Sequence, residues 1–386
     1  MMIARLFLSL FAISILISYS NANINHNIQK CSSSPVHILL EKHYTGPPYR
    51  TVNFGRPASF YNVSLTKFST SKPDDYDGDL EIGEGTAAKV FLATHKPTRD
   101  TIVIKYMKMR KVSVLREIKN LLELKDAPHF LPLRDVVDVS GGKSGFALIF
   151  DYFNHTSFPE VQPLITKKHM KVFAYQLLKS LDYMHSRGII HRDIKPHNTL
   201  MNLESYQLKL IDVGQGEYFL PGKDYNIVVG SQQFKAPELL VNYTKYDYSI
   251  DMWSTGAWLA AMMFQDYYFF NPKTDHPNKL SLIEEYYRRL RDQLDAIAKI
   301  LGTKGLLQYV NKYKDDIHNM EAVKAVGNYS KVPLKNLINE ENAHMVDSLG
   351  IDLVERLLVY DHTRRLTARQ ALAHPYFSEV RKELEN

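Results

Sequence analysis

The residues best suited to chemistry lie near the middle of the chain, at positions 191–198, whose sequence is His-Arg-Asp-Ile-Lys-Pro-His-Asn. An Asp-Val-Gly tripeptide follows at 212–214. Transfer of a phosphoryl group needs a carboxylate that accepts the proton of the attacking hydroxyl, and groups that neutralise the charge of a triphosphate. We assign the first role to Asp193 and expect Lys195 beside the transferring phosphate. Asn198 and Asp212 are predicted to hold magnesium ions.

A second candidate set precedes this segment and would bind the phosphates. Glycines allow a backbone to approach a phosphate closely enough for its N–H groups to donate to it. The third glycine of a Gly-x-Gly-x-x-Gly pattern is replaced by alanine, so a plain β-turn is the alternative when the segment is taken alone. The predicted phosphate-binding residues are Ile82, Gly83, Glu84, Gly85, Thr86, Ala87, Ala88, Lys89 and Val90.

Lys105 and Glu117 complete the predicted phosphate site. Lys105 ends a strand-like Ile-Val-Ile-Lys run at 102–105, and Glu117 lies in the helical pattern that follows. The lysine is predicted to hold the α- and β-phosphates and the glutamate to pair with the lysine. For an isolated Lys and Glu, two solvated surface charges would be the simpler interpretation. Their position after the glycine-rich segment favours the ion pair.

The order of these segments resembles that of protein kinases. The Ala-Pro-Glu at 236–238 fits the same order, and the resemblance implies that Glu238 is buried and paired with Arg365. Asp251 is expected to brace the catalytic segment from below. His191 is expected to satisfy backbone groups near that segment.

Hydrophobic periodicity predicts a small sheet with one helix in the first part of this order of segments. Short β-type runs lie at 80–82, 88–93, 101–107 and 146–150, and a helical pattern covers 112–124. These elements predict an N-lobe at 76–151.

Beyond residue 151 the patterns are mostly helical, with apolar helical spacing at 170–186, 248–264 and 280–301. They predict a C-lobe at 152–386. Together the two parts predict an α+β chain with the bilobal protein kinase fold, in which a small β-rich N-lobe precedes a larger α-helical C-lobe.

Composition is compatible with one globular unit of this kind. The 386 residues are 45% hydrophobic and 23% charged, and the formal net charge is +6. The basic residues are dispersed, so the charge pattern argues against nucleic acid as the partner. Cys31 is the single cysteine, which excludes an intrachain disulfide and leaves an intermolecular one open.

The N-terminus predicts entry into the secretory pathway. Arg5 precedes an apolar run at 6–17, and Ser-Asn-Ala at 20–22 supplies the small residues of a cleavage site. The run is shorter than the roughly 20 apolar residues that span a bilayer, although an uncleaved anchor remains the alternative. We therefore predict a signal peptide at 1–22, a secreted or ER/Golgi-lumenal protein without a membrane span after cleavage, and an N-terminal segment at 23–75 that packs on the kinase domain.

Sequons for N-glycosylation fit a secreted chain, although each is weak evidence alone. They begin at Asn62, Asn154, Asn242 and Asn328.

Longer stretches narrow the resemblance to the catalytic subunit of casein kinase 2. Most kinases do not have Pro-His at the positions of Pro196 and His197. The resemblance runs from about residue 56 to residue 377 and implies a serine/threonine protein kinase that uses ATP or GTP with Mg²⁺ or Mn²⁺. It also implies protein substrates and a regulatory beta subunit as partners. Further matching stretches lie at 225–226, 234–241, 246–254, 360–362, 365–369 and 374–377.

The resemblance also implies the nucleotide pocket and the mode of activation. The backbone from Asp151 to Phe153 would be the adenine hinge. Members of the family are typically active without phosphorylation of the activation loop, because an N-terminal segment holds them open, and Arg56 and Tyr61 resemble part of that segment. The hydroxyls of the activation loop here belong to Tyr218, Tyr225 and Ser231. The apolar walls of the pocket would be Ile82, Val90, Val103, Phe150, Phe153, Leu200 and Ile211.

Departures from the family affect substrate choice. The family reads acidic residues beyond the target Ser or Thr, but two arginines of its peptide-binding loop correspond to Val228 and Gln232 here, and Lys235 alone remains. The family also has a run of lysines before the helix at 112–124, and here only Arg110, Lys111 and Arg116 correspond to it. Each lost arginine removes a contact worth about 1–3 kcal/mol, so we expect a weakened or altered preference for acidic substrates.

A binding or scaffold protein with a pseudokinase domain is the alternative from another functional class. The altered substrate loop motivates it, and it predicts that Asp193→Ala leaves function unchanged. Pseudokinases usually lose a member of the phosphate or metal set, whereas this chain keeps Lys105, Glu117, Asn198 and Asp212. The complete set favours an enzyme.

Overall fold

The computed structural model describes residues 49–139, 145–272 and 281–384. The predicted signal peptide, its cleavage site and Cys31 lie outside these residues. Within the described part, no helix combines the length and apolar character needed to cross a membrane.

The first lobe is built on an antiparallel five-stranded sheet in the order β1-β2-β3-β5-β4. Its alternating side chains place Ile102 and Ile104 on one face, where they are buried, and Val103 and Lys105 on the other. Lys105 lies opposite Val90 on β2. The strands are β1 Tyr76–Glu84, β2 Ala88–His95, β3 Asp100–Met107, β4 Leu133–Asp138 and β5 Phe146–Asp151.

Helix α2 packs beside this sheet and brings Glu117 inward. A short helix α1, Ala58–Tyr61, precedes the sheet, and α2 spans Lys111–Glu123. Val114, Ile118 and Leu121 recur at helical spacing and are buried. Glu117 lies on the same stripe, so its carboxylate is directed into the protein rather than toward solvent.

The second lobe is helical around the long α4. Thr166 accepts a hydrogen bond from the backbone N–H of His169, and the His169 ring bonds back to the Thr166 N–H, which fixes the start of α4. The C-lobe helices are α3 Phe158–Val161, α4 Lys167–Ser186, α5 Pro237–Leu240, α6 Ser249–Met263, α7 Leu282–Leu301, α8 Thr303–Lys312, α9 Met320–Lys324, α10 Ser348–Leu357, α11 Ala368–Leu372 and α12 Ser378–Leu384.

Two small antiparallel strand pairs lie at the end of α4 and carry the loops predicted to do chemistry. Strand β6, Ile189–Ile190, pairs with β9, Glu217–Tyr218, while β7, Thr199–Asn202, pairs with β8, Gln207–Leu210. Residues 191–198 connect β6 to β7, and residues 211–216 connect β8 to β9. The two pairs therefore hold both loops at one place.

The α+β prediction with a β-rich first lobe and a helical second lobe is confirmed. The sequence patterns omitted β4. Its Leu-Arg-Asp-Val-Val-Asp sequence interrupts the apolar alternation with charges, and the strand lies at the edge of the sheet, where such residues reach solvent.

The segment before the sheet contacts both lobes. The Asn53 amide donates to the carbonyls of Gly188 and Phe219 at 2.8 and 2.9 Å. Arg56 lies 3.6 Å from Glu123 at the end of α2. Gly188 has φ +78, and a Cβ there would stand 2.2 Å from the Asn53 side chain, so glycine is required for this contact.

Candidate active site

The catalytic loop presents Asp193 among three donors. Its Oδ1 accepts a hydrogen bond from the Ser231 hydroxyl at 2.8 Å, and its Oδ2 lies 2.8 Å from the Lys195 amine. The Asn198 amide donates to the same Oδ2 at 3.2 Å and to the Asp193 carbonyl at 2.8 Å. The structure thus brings together all three predicted catalytic residues, with the carboxylate held in one orientation.

Asp251 supports the catalytic loop through hydrogen bonds, as the sequence predicted. Its carboxylate accepts from the backbone N–H groups of His191 and Arg192, each at 2.8 Å. Arg192 has φ 71, a left-handed conformation that costs a non-glycine residue energy. His185 adds a third contact to Asp251 at 2.9 Å. These contacts offset the strain of the turn that carries Asp193.

His191 satisfies groups inside the loop. One ring nitrogen accepts from the Asp193 N–H at 3.2 Å and the other lies 3.2 Å from the Ile211 carbonyl. The imidazole therefore connects the catalytic loop to the segment that begins the Asp212 loop, and it is fully buried.

Lys105 joins Glu117 to Asp212 across the cleft. Its amine lies 2.7 Å from Glu117 and 3.1 Å from Asp212. Burial by itself would lower the pKa of Lys105, but the two carboxylates outweigh burial and raise it. Burial would raise the pKa of Asp212, but Lys105 outweighs that effect and lowers it. Both groups therefore stay charged at neutral pH.

The Asp212 loop has a shape that suits a hard cation. Asp212 has φ 64, and a Cβ on Gly214 would stand 2.9 Å from the Glu117 carboxylate, so the loop needs glycine to pass the helix. The Asn198 amide nitrogen is bonded to Asp193, which leaves its oxygen for other partners. Oxygen donors of Asp212 and Asn198 are the ligand type that Mg²⁺ prefers, so the residues fit the predicted ion.

The glycine-rich segment forms the turn between β1 and β2. A Cβ on Gly83 or Gly85 would meet its nearest atom only at 3.9 or 4.0 Å, so packing within the protein does not require glycine at either position. Close approach of a phosphate to the backbone would require it, and the segment fits that group. At the tip, Glu84 pairs with Lys108 and lies 3.4 Å from Lys89, so its charge is compensated. Thr86 and Ala87 lie in the turn, and Ala88 begins β2.

The predicted adenine walls come from both lobes. Val90 lies on β2, Val103 on β3 lies opposite Phe150 on β5, and Leu200 lies on β7. Ile211 donates its N–H to the Asn198 carbonyl at 3.0 Å, which places this wall beside the catalytic loop.

The predicted hinge crosses between the lobes at Asp151 to Phe153. Tyr152 donates its N–H to the Thr101 carbonyl at 3.3 Å, and the Phe153 carbonyl lies 2.8 Å from the His155 ring. Ile82, the remaining wall residue, is 46% exposed on β1.

Charged side chains hold the activation loop. Burial would raise the pKa of Glu217, but Lys223, Arg116 and Arg192 outweigh burial and hold it at about 2. The Tyr225 hydroxyl donates to the carbonyls of its own loop and is buried. The loop is thus anchored through a carboxylate that the sequence analysis did not single out.

The peptide-binding loop differs from its predicted role at Lys235. This residue was expected to supply the remaining basic contact for an acidic substrate. Its amine instead donates to the Val229 carbonyl, and the side chain is buried. Burial lowers the pKa of Lys235 to about 8. The one lysine left in this loop is therefore turned away from a substrate.

Two features of the site were missed in the sequence. Ser231 was noted only as an activation-loop hydroxyl, yet it contacts both Asp193 and Lys195, the latter at 2.9 Å. The Gln232 amide reaches the Arg289 carbonyl on α7, so this helix borders the peptide-binding loop. Neither contact has a signal in local sequence, because each joins distant segments.

Glu238 and Arg365 form the buried pair that the resemblance implied. Two nitrogen–oxygen contacts of 2.6 and 2.7 Å join fully buried side chains. The Arg365 guanidinium also donates to the carbonyls of Val359 and Tyr360. The pair ties the end of the peptide-binding loop to the base of the C-lobe.

A comparison with known protein families agrees with this geometry. The family model described as protein kinase domain matches residues 76–377, which is most of the chain and includes every predicted catalytic, phosphate-binding and metal-binding residue. This match, together with the converging Lys105, Glu117, Asp193 and Asp212, shows that the chain belongs to the protein kinase family.

Proposed function

We propose that this protein is an active serine/threonine kinase of the casein kinase 2 type, which transfers the γ-phosphate of ATP to protein hydroxyls. The observation that carries the proposal is the completeness of two linked groups of residues. Lys105 joins Glu117 to Asp212, and Asp193 lies between Lys195 and Ser231. A pseudokinase would have no need to keep both groups complete and aligned.

The residues divide the work of phosphoryl transfer. Lys105 would hold the nucleotide phosphates, and Asp212 with Asn198 would hold a divalent ion, Mg²⁺ or Mn²⁺. The bound metal–nucleotide supplies the phosphoryl group in an activated form. Asp193 orients the substrate hydroxyl and accepts its proton, while the Lys195 amine stays beside the same carboxylate. GTP is a second candidate donor, supported by the family resemblance.

Incubation of the purified mature protein with a degenerate Ser/Thr peptide library and labelled ATP or GTP tests the proposal. Mg²⁺ and Mn²⁺ are compared in parallel reactions. We expect label in the peptides and its absence with Asp193→Asn. If neither nucleotide labels any peptide with either metal, the protein is a binding module of the pseudokinase class.

The resemblance supports one further partner, a regulatory subunit of the casein kinase 2 type. Mixing the mature protein with such a subunit and following its elution by size-exclusion chromatography tests this. Co-elution supports the proposal, and independent elution at micromolar concentrations contradicts it.

The location we propose is the secretory pathway, supported by the leader at 1–22. Asn62 and Asn328 are exposed sequon residues, whereas Asn242 is half-buried, has φ 56 and buries its amide oxygen. We expect glycans at the first two and none at Asn242. Expression in secretory cells, with N-terminal sequencing and Asn→Gln variants, tests this; a mature chain that begins at Met1 contradicts it.

A further inference from the structure

A pair of tyrosines borders the catalytic loop beside His197. Tyr267 and Tyr268 follow α6, and their rings meet edge to face with centroids 4.6 Å apart. The Tyr267 hydroxyl lies 2.8 Å from the His197 ring. His197 belongs to the turn Pro196–Asn198, directly after Lys195. The pair therefore lies within a few residues' reach of a hydroxyl at Asp193.

The pair is held rigidly and part of it is open to solvent. The ring of Tyr267 packs against the buried Phe158 at 5.1 Å and the buried Phe234 at 6.0 Å. Tyr268 is 42% exposed. Two elements of the C-lobe core thus fix one ring, and this ring in turn positions the exposed one.

Among the described residues, the charged side chain that contacts this pair is that of Asp266. Asp266 is exposed, and its carboxylate accepts the Tyr268 N–H at 3.0 Å. Burial raises the pKa of Tyr267 to about 12, with further contributions from Tyr268 and Asp193. Tyr267 is therefore neutral at physiological pH.

Neither tyrosine has a cation of its own among the described residues, and Asp266 has no ion pair there. Elsewhere the chain places cations over half-buried tyrosine rings, as with Arg187 over Tyr183 at 5.0 Å and Lys312 over Tyr313 at 4.8 Å. An aromatic face beside an unpaired carboxylate suits a guanidinium, which stacks on the ring and donates to the carboxylate.

We propose that Asp266, Tyr267 and Tyr268, called here the arginine wall, receive an arginine side chain of the substrate close to the phosphoacceptor. The inference rests on the proposed kinase function and adds its substrate class. The Asp266 carboxylate repels an acidic substrate residue that lies against the wall. The Lys235 amine points inward, so it does not attract that residue. The preferred substrate is therefore a basic peptide rather than an acidic one.

Peptides with one central serine test the proposal. Each flanking position in turn carries Arg, Lys, Phe, Glu or Gly, and kcat/KM is measured with ATP and Mg²⁺. We expect one flanking position at which Arg exceeds Gly by about tenfold and Glu falls below Gly. Equal rates, or a preference for Phe or Glu at every position, would overturn the arginine wall while leaving the kinase function standing.

Variants test whether the arginine wall causes the preference for an arginine in the substrate. Asp266→Lys is expected to reverse the Arg-to-Glu ratio, and Tyr268→Ala to reduce the Arg-to-Gly ratio to below about threefold. Asp315→Asn removes an exposed carboxylate beyond α8 and should leave both ratios unchanged. An unchanged ratio in Asp266→Lys would contradict the assignment.

The affinity of a peptide that cannot be phosphorylated tests the arginine wall without any catalysis. The arginine peptide with Ala in place of Ser is labelled, and its affinity is measured by fluorescence anisotropy for the wild type and for Asp266→Lys. A loss of about tenfold in Asp266→Lys supports the wall, and equal affinity overturns it. Absence of transfer to every serine peptide would instead remove the kinase function itself.

Discussion

The phosphate-transfer centre and the peptide-binding rim of this protein treat charge in opposite ways. In the centre, Lys105 and Asp193 are each paired with groups that hold them in one orientation. At the rim, Lys235 is buried against its own backbone, positions 228 and 232 are uncharged, and the carboxylate of Asp266 is exposed.

The difference follows from what each region must recognise. The triphosphate and its metal have one geometry, so the residues that contact them tolerate little change. A substrate peptide is recognised by a few surface contacts, and each can be replaced without affecting the chemistry. The same fold can thus keep its reaction while its substrate class changes.

The largest expected effect comes from removing the proton acceptor. Asp193→Asn should lower kcat by about 10²–10⁴-fold, because the amide cannot accept the substrate proton. Thermal unfolding of the variant should stay close to that of the wild type, since the amide keeps most contacts. A variant with near wild-type kcat would place the chemistry elsewhere.

Breaking the buried pair should reduce both stability and activity. Lys105→Met leaves Glu117 without its partner, and we expect a loss of about 3–5 kcal/mol in the free energy of unfolding, measured in urea. The double variant Lys105→Met/Glu117→Leu should regain stability but no activity.

The exposed pair of Lys89 with Glu81 serves as the control for this measurement. Lys89→Met should leave the unfolding curve nearly unchanged, because a solvated pair contributes little. Equal effects of the two single variants would remove the contrast between a buried and an exposed pair.

Because the Lys235 amine is buried, we expect the free energy of unfolding to rise with pH in the alkaline range. The pKa of Lys235 falls from 10.5 to about 8 because burial disfavours its cation. Between these values the unfolded chain holds a proton that the folded chain has released, so the free energy of unfolding increases with pH. From about pH 8 to about pH 10 the wild type should gain about 2–3 kcal/mol relative to Lys235→Met. Parallel curves for the two proteins would show that the amine is solvated.

The remaining prediction concerns substrate selectivity, as a restored acidic preference. In Val228→Arg/Gln232→Arg, kcat/KM for a peptide with acidic residues should rise relative to kcat/KM for a neutral peptide. Each arginine adds a contact worth about 1–3 kcal/mol of binding free energy. Val228→Gln with unchanged Gln232 is the uncharged control. No change in the ratio would show that the rim selects substrates through other contacts.

Much of the site was predictable because its residues lie in short motifs. Asp193, Lys195 and Asn198 share one loop whose spacing follows from the chemistry, and the α+β class follows from the change from β-type to helical periodicity. The contacts of Ser231 and Asn53 were not predictable, since each joins segments far apart in the chain. The direction of Lys235 was also hidden, because local sequence does not show which way a lysine turns.

The sequence by itself determined the family: Lys105, Asp193, Asn198 and Asp212 stand in the order typical of protein kinases, and the proposed phosphoryl transfer follows from their types and spacing. Only the tertiary structure decided which charges face the substrate. Burial turned Lys235 inward, and the packing of Tyr267 against Phe158 and Phe234 fixed Tyr268 beside Asp266. The physical reason is that a catalytic role depends on the type and spacing of residues, whereas recognition depends on which side chains packing leaves exposed.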